Sequence, residues 1–161
     1  MFPAPLLLLA RTVLAEAREK ALRIATAESC TGGLIAALLT EIPGSSDVLD
    51  RGFVVYSNRA KSDLLGIPAE LIEKHGAVSE PVARAMAEGA LAHSNARLSI
   101  AVTGIAGPGG SAEKPVGLVH IAAAREGPPT VHELHRFGDL GRTAIRLRAV
   151  EAAVMLLRHL L

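Results

Sequence analysis

The chain has no tryptophan, a single tyrosine (Tyr56) and only three phenylalanines in 161 residues, so it has no row of aromatic faces on which bases could stack. It also lacks any long run of lysine or arginine, and its formal net charge is +1. Nucleic-acid affinity rests on neutralising many phosphates, so both features argue against nucleic acid as a partner. The single cysteine, Cys30, excludes an intrachain disulfide framework and suits a reducing cytoplasm. Six histidines are scattered along the chain, and His132 and His135, three apart in a predicted strand, point to opposite faces, so no metal site is expected. Phe2–Ala10 is apolar but lacks a basic leader, and Arg11, Glu16, Arg18, Glu19 and Lys20 follow at once. Leu7, Ala10, Leu14, Ala17 and Ala21 form a stripe at helical spacing, so this segment reads as a first helix and no membrane association is expected.

Glycine, by contrast, is concentrated. Residues 103–117 carry five glycines and two prolines directly after the apolar run Leu98–Val102. Bare backbone after a strand allows close approach of another group, and in open α/β sheets such loops sit at the carboxyl ends of strands. The segment reads as one wall of a binding site. A second segment, Thr26-Ala27-Glu28-Ser29-Cys30-Thr31-Gly32-Gly33, follows the β-like Leu22–Ala25 and leads into a helical stretch, Leu34–Glu41. The first amides of such a helix have no internal partner, so an anion or a developing oxyanion is stabilised there. Ser29 and Thr31 are either capping hydroxyls or part of a site. A third segment, Tyr56-Ser57-Asn58-Arg59-Ala60-Lys61, follows the strand-like Gly52–Val55. With Ser57 as N-cap, Lys61 falls in the first turns of a helix, where the dipole disfavours a cation by about 0.3–1 kcal/mol. Partial burial depresses its pKa further, and a neutral amine beside a serine hydroxyl serves as a general base.

The remainder alternates β-like and helical segments: helices at Ala69–His75 and Pro81–His93, the latter capped by Ser79, then strands at Leu98–Val102, Val116–Ala124 and Thr130–Phe137. Only Arg125–Pro129 separates the last two strands, too few residues for a parallel crossover, so they pair as a hairpin. A final helix over about Gly141–Leu161 sets Ile145, Ala149, Ala152, Val154 and Leu156 against the sheet. The expected fold is α/β with three layers, α/β/α, around a mixed, mainly parallel sheet, in one domain over residues 1–161. The apolar closing segment Ala152–Leu157, with Leu160, Leu161 and Leu6–Leu9, predicts a homodimer or higher homo-oligomer, unless the two terminal helices cover each other.

Ala27–Gly33, Tyr56-Ser57-Asn58 with Ala60-Lys61, His75–Ser79, and Thr103–Pro108 with Lys114–Gly117 together resemble the carboxyl-terminal domain of the CinA family, over about Ala10–Leu161. The stand-alone form of that domain is a nicotinamide mononucleotide deamidase of three-layer fold. The resemblance implies an amidohydrolase that needs no cofactor or metal, acting on a small nucleotide substrate. It implies that Ser29 attacks the amide carbon, Lys61 takes the proton, and Tyr56 orients the lysine or passes the proton to departing ammonia. Glu28, Thr31, Gly32, Gly33, Asn58, Thr103, Gly104, Gly107, Gly110 and Arg142 are the implied substrate contacts, with amides near Thr31–Gly33 at the oxyanion and Thr103 with the 104–110 loop at ribose and phosphate. Fuller members carry a further amino-terminal domain associated with pyrophosphate hydrolysis, for which 161 residues leave no room, so that activity is expected to be absent. The chain departs from the family pattern at Gly138-Asp139-Leu140-Gly141-Arg142, where Gly-Asp-Arg is common, and at Pro108, which runs straight into Gly109-Gly110. The register of Arg142 and the role of Glu113 therefore stay open, as does the choice between Arg142 and Arg146 at a phosphate. Two rivals remain: Cys30 as nucleophile at a helix amino terminus, and a nucleotide-binding regulatory module without chemistry.

Overall fold

The computed structural model describes residues 1–161. Helix α1 (Ala4–Glu19) is entered through Pro3 and Pro5, whose fixed φ suits a first helical turn. Its buried stripe is Leu6, Ala10, Val13, Leu14 and Ala17. Leu7 packs only at the flank, and Ala21 is exposed beyond the helix end with a left-handed φ of 52°, so the stripe is turned by about one residue from the expected one. Strand β1 (Ile24–Glu28) lies between β2 (Leu49–Val54) and β3 (Leu98–Gly104), parallel to both, while β3 pairs antiparallel with β4 (Leu118–Arg125), which pairs antiparallel with β5 (Val131–Arg136). The sheet order is β2-β1-β3-β4-β5, and only β4 runs against the other strands. The predicted hairpin is β4–β5.

Helices α1, α2 (Leu34–Thr40) and α6 (Arg142–His159) cover one face of the sheet. Helices α3 (Asn58–Leu65), α4 (Ala69–His75) and α5 (Glu80–Ala92) cover the other. Covering on both faces explains why β1 and β3 are buried along almost their whole length rather than at alternate residues. Ser57 and Ser79 cap α3 and α5, accepting from the amides of Ala60 and Val82. Strand β1 extends to Glu28, three residues beyond the run read from sequence, because both parallel neighbours continue the ladder that far. On α6 the buried residues are Ile145, Ala149, Val150, Ala153, Val154, Leu156 and Leu157, and Ala152 is only partly covered. Helices α1 and α6 pack into one core, so most of the apolar surface offered for self-association is consumed within the chain, leaving Leu8 and Met155 outward.

The chain leaves β1 toward β2 on one side and leaves β3 toward β4 on the other, so a crevice opens between the carboxyl ends of β1 and β3. Such reversal points are where open α/β sheets hold ligands. Ser29 follows β1, Val55 and Tyr56 follow β2, and Ile105–Pro108 follow β3, so all three reach the same edge.

Candidate active site

A cavity of about 210 Å³ occupies that crevice, lined by Ser29, Cys30, Tyr56, Gly104, Ile105, Ala106, Gly107, Pro108 and Arg142. Lys61 lies beneath it with 1% of its surface exposed, among the largest fully buried side chains of the chain. Its Nζ lies 2.9 Å from the Val55 carbonyl, 3.3 Å from the Tyr56 carbonyl and 3.4 Å from Ser29 Oγ. Burial lowers its pKa below the ordinary lysine value of 10.5, and the neighbouring Cys30 partly opposes this. A neutral amine has two N–H donors and one lone pair. The two carbonyls take both donors, which turns the lone pair toward the Ser29 hydroxyl, the arrangement a general base requires.

Cys30 is poorly placed to supply a thiolate. Burial pushes its thiol up to about 11, against only partial opposition from its own amide, so the thiolate that a helix amino terminus was expected to favour does not form near neutral pH. Its side chain packs into the larger core.

Glu28 takes a different part from the substrate contact expected of it. Its carboxylate is fully buried, and Oε2 accepts from Thr31 Oγ1 at 2.7 Å and from the amides of Gly33 at 3.1 Å and Ile35 at 3.0 Å. Oε1 accepts from the Ala36 amide at 2.9 Å. An acidic side chain therefore neutralises the first turn of α2, a task for which Ser29 and Thr31 were alternatives. This also corrects the oxyanion assignment. The Gly33 amide is spent on Glu28 and the Gly32 amide donates to the Ser29 carbonyl at 3.0 Å, which leaves Thr31 as the one residue of that trio whose amide has no protein acceptor.

Tyr56 reaches Lys61 through its main chain. Its hydroxyl is 3.2 Å from an Arg142 nitrogen, and the other arm of that guanidinium donates to the Gly107 carbonyl at 2.6 Å. Arg142 and Tyr56 thus form the rim of the cavity rather than its floor. Ser29, Lys61, Tyr56, Gly104, Gly107 and Arg142 come together as expected, and Glu28, Thr31, Gly32, Gly33, Asn58, Thr103 and Gly110 do not line the cavity. Thr103 is buried and its hydroxyl donates to the Ala77 carbonyl at 2.9 Å, tying β3 to the loop before α5. Asn58 faces a separate groove between α3 and α4, with Ser62 and Ile72. The glycines of the 104–117 loop also have an internal cause: a Cβ on Gly104 would lie 2.7 Å from Val119 Cγ2, and one on Gly107, whose φ is 85°, would lie 2.9 Å from Val116 Cγ1. Ile105, Ala106 and Pro108 on the wall belong to the 104–110 loop already read as a binding surface, and Arg146, read as a rival to Arg142 at a phosphate, bonds the carbonyls of Cys30 and Thr31 instead; the Val55 carbonyl on the lysine was not foreseen. No helix is long and apolar enough to cross a membrane.

Comparison with known proteins agrees in sequence and in shape. A CinA-like protein of Syntrophobacter fumaroxidans is 54% identical over 145 residues, which are 89% of this chain and 34% of that protein. A putative competence-damage inducible protein of Caldicellulosiruptor bescii is 49% identical over 152 residues, 94% of this chain and 36% of that one. The chain therefore spans about a third of the length of these relatives. The crystal structure of the competence/damage inducible protein CihA from Agrobacterium tumefaciens superposes with a TM-score of 0.97 at 53% identity, covering 99% of this chain and 98% of that one. A CinA superfamily protein of Escherichia coli superposes with a TM-score of 0.93 at 31% identity, covering 100% of this chain and 94% of that one. Residues 7–161 match the sequence pattern of the CinA C-terminal domain, and with that match the chain belongs to the CinA family.

Proposed function

We propose that the chain hydrolyses the carboxamide of nicotinamide mononucleotide to nicotinic acid mononucleotide and ammonia. The observation that carries this reading is the buried Lys61 amine, held by two carbonyls with its third position toward Ser29 Oγ at the mouth of the β1–β3 crevice. Ser29 Oγ attacks the amide carbon and its proton passes to Lys61 Nζ. The lysine then protonates the leaving nitrogen, the C–N bond breaks, and ammonia departs from an acyl ester on Ser29. A water molecule attacks the ester, its proton passing through Lys61 back to Ser29 as the carboxylate leaves. Arg142 supplies positive charge for the nucleotide phosphate, and the exposed Tyr56 ring offers a π face to the cationic pyridinium. The resemblance to the stand-alone deamidase supplies the substrate, and the Ser29–Lys61 geometry supports the reaction class over a binding module without chemistry. Purified protein incubated with nicotinamide mononucleotide is expected to release ammonia, with Ser29→Ala as the blank. Ammonia no higher than in that blank would sink the proposal.

A further inference from the structure

Amide hydrolysis through an acyl ester has two halves, and the second runs the atoms of the first in reverse. In the first half Lys61 Nζ hands a proton to nitrogen as the C–N bond breaks, so the site already holds an amine at the acyl carbon. The reverse step, attack of an amine on the Ser29 ester, needs no group that the forward step lacks. Whether water alone completes the reaction depends on what in the cavity selects it.

No side chain does. An attacking water must give up a proton, and Lys61 Nζ, 3.4 Å from Ser29 Oγ and tied to the carbonyls of Val55 and Tyr56, is the only side-chain base beside the nucleophile. The Glu28 carboxylate lies outside the lining, and its oxygens already accept from Thr31 Oγ1 and from the amides of Gly33, Ile35 and Ala36. The Cys30 thiol, pushed up to about 11, stays protonated near neutral pH. At the rim, Arg142 binds the Gly107 carbonyl and the Tyr56 hydroxyl. No histidine, carboxylate or side-chain amide lines the cavity, and the rest of its wall is Ile105, Ala106, Pro108 and bare glycine backbone. An apolar wall separates molecules of similar size by only about 10- to 200-fold. Nor is the space cut to water, since the cavity measures about 210 Å³ and a water molecule takes up roughly 30 Å³ of the liquid.

We propose that the Ser29–Lys61 pair also transfers the acyl group of its carboxamide substrate to small neutral amines, which makes the chain an acyltransferase as well as a hydrolase. The inference rests on the serine chemistry proposed above. In the transfer the amine nitrogen bonds to the ester carbon and its proton passes to Lys61 Nζ. The C–Oγ bond then breaks, the lysine returns that proton to Ser29 Oγ, and a substituted amide leaves; nothing is oxidised or reduced. The acceptor must be uncharged, because an ammonium has no lone pair, and small, because the acyl group shares the cavity.

Hydroxylamine is the probe, because it is largely uncharged at neutral pH and its product, a hydroxamate, is read by its colour with ferric ion. With nicotinamide mononucleotide as donor, hydroxamate and nicotinic acid mononucleotide together should equal the ammonia released, and their ratio should double each time the hydroxylamine concentration doubles. Ser29→Ala is the blank and should form neither. Ammonia matched by nicotinic acid mononucleotide alone, even at molar hydroxylamine, would mean that the site selects water and would overturn the inference. A second donor, para-nitroacetanilide, asks for no nucleotide contacts and reports acylation of Ser29 by release of para-nitroaniline. If wild-type protein cleaves the anilide but draws no ammonia from the nucleotide, the substrate reading fails alone, and the ratio of acetohydroxamate to acetate still decides the transfer. Cleavage of neither donor would overturn the transfer together with the serine chemistry beneath it.

Discussion

Glu28→Gln separates a capping carboxylate from a substrate contact, because it conserves volume while removing charge and acceptors. With the side-chain oxygen kept at the Oε2 position, glutamine retains Thr31 Oγ1 and the Gly33 and Ile35 amides but turns an NH₂ toward the Ala36 amide, now 2.9 Å from a donor instead of an acceptor. A buried donor left unsatisfied costs about 1–3 kcal/mol. Loss of negative charge at the α2 amino terminus adds about 0.3–1 kcal/mol, reaching about 2 in partly buried geometries. The sum spans about 1–5 kcal/mol, with about 2–4 at its centre. For a chain of this length each kcal/mol moves the melting temperature by about 2–4 °C, so a drop of roughly 5–15 °C is expected. Thermal unfolding followed by circular dichroism measures it, alongside KM for nicotinamide mononucleotide. A variant that melts within 2 °C of wild type but binds substrate far more weakly would refute the capping argument and return Glu28 to the substrate.

Ser29→Ala should abolish ammonia release while Cys30→Ala, which removes a buried thiol held up at about 11, keeps most of it; the reverse ranking of initial rates would reassign the nucleophile. Because burial lowers the Lys61 pKa, the folded chain releases that proton at a pH where the unfolded chain keeps it, so turnover should rise with pH through the lowered value and level off above it, while stability rises from the lowered value toward 10.5. Lys61→Arg should be nearly inactive at every pH, since guanidinium stays protonated, and near-normal turnover would show that charge alone suffices. On the far side of the sheet edge, His120 Nδ1 lies 2.9 Å from His132 Nε2, and burial followed by repulsion from His132 lowers His120 to about 4. The folded chain therefore binds fewer protons than the unfolded one between about pH 4 and 6.5, and urea stability should climb across that window. His120→Gln should flatten the climb; an unchanged slope would show that other groups produce it.

The three glycine- or hydroxyl-bearing segments, their places after strands and the caps at Ser57 and Ser79 were legible in the sequence because each depends on neighbours within a few residues. The β4–β5 hairpin was legible for a related reason, since five intervening residues admit no other connection. Even the Ser29–Lys61 pairing was legible, though through family resemblance rather than through spacing. What only the tertiary structure decided is how the polar atoms are shared. Glu28 reads in the sequence as one more polar residue of a turn, and its capping bonds exist because β1 continues far enough to drop a carboxylate beneath α2. Tyr56 was assigned by its hydroxyl, yet its carbonyl holds the lysine, a choice made by the path of the chain between β2 and α3. Thr103 turned inward because it lies on the face of β3 that α5 and its preceding loop cover. Arg142 and Arg146 were indistinguishable as two cations one helical turn apart. Their separation into a rim residue and a tie to the nucleophile turn follows from where α6 docks, more than a hundred residues after Thr31, and no local pattern encodes that distance.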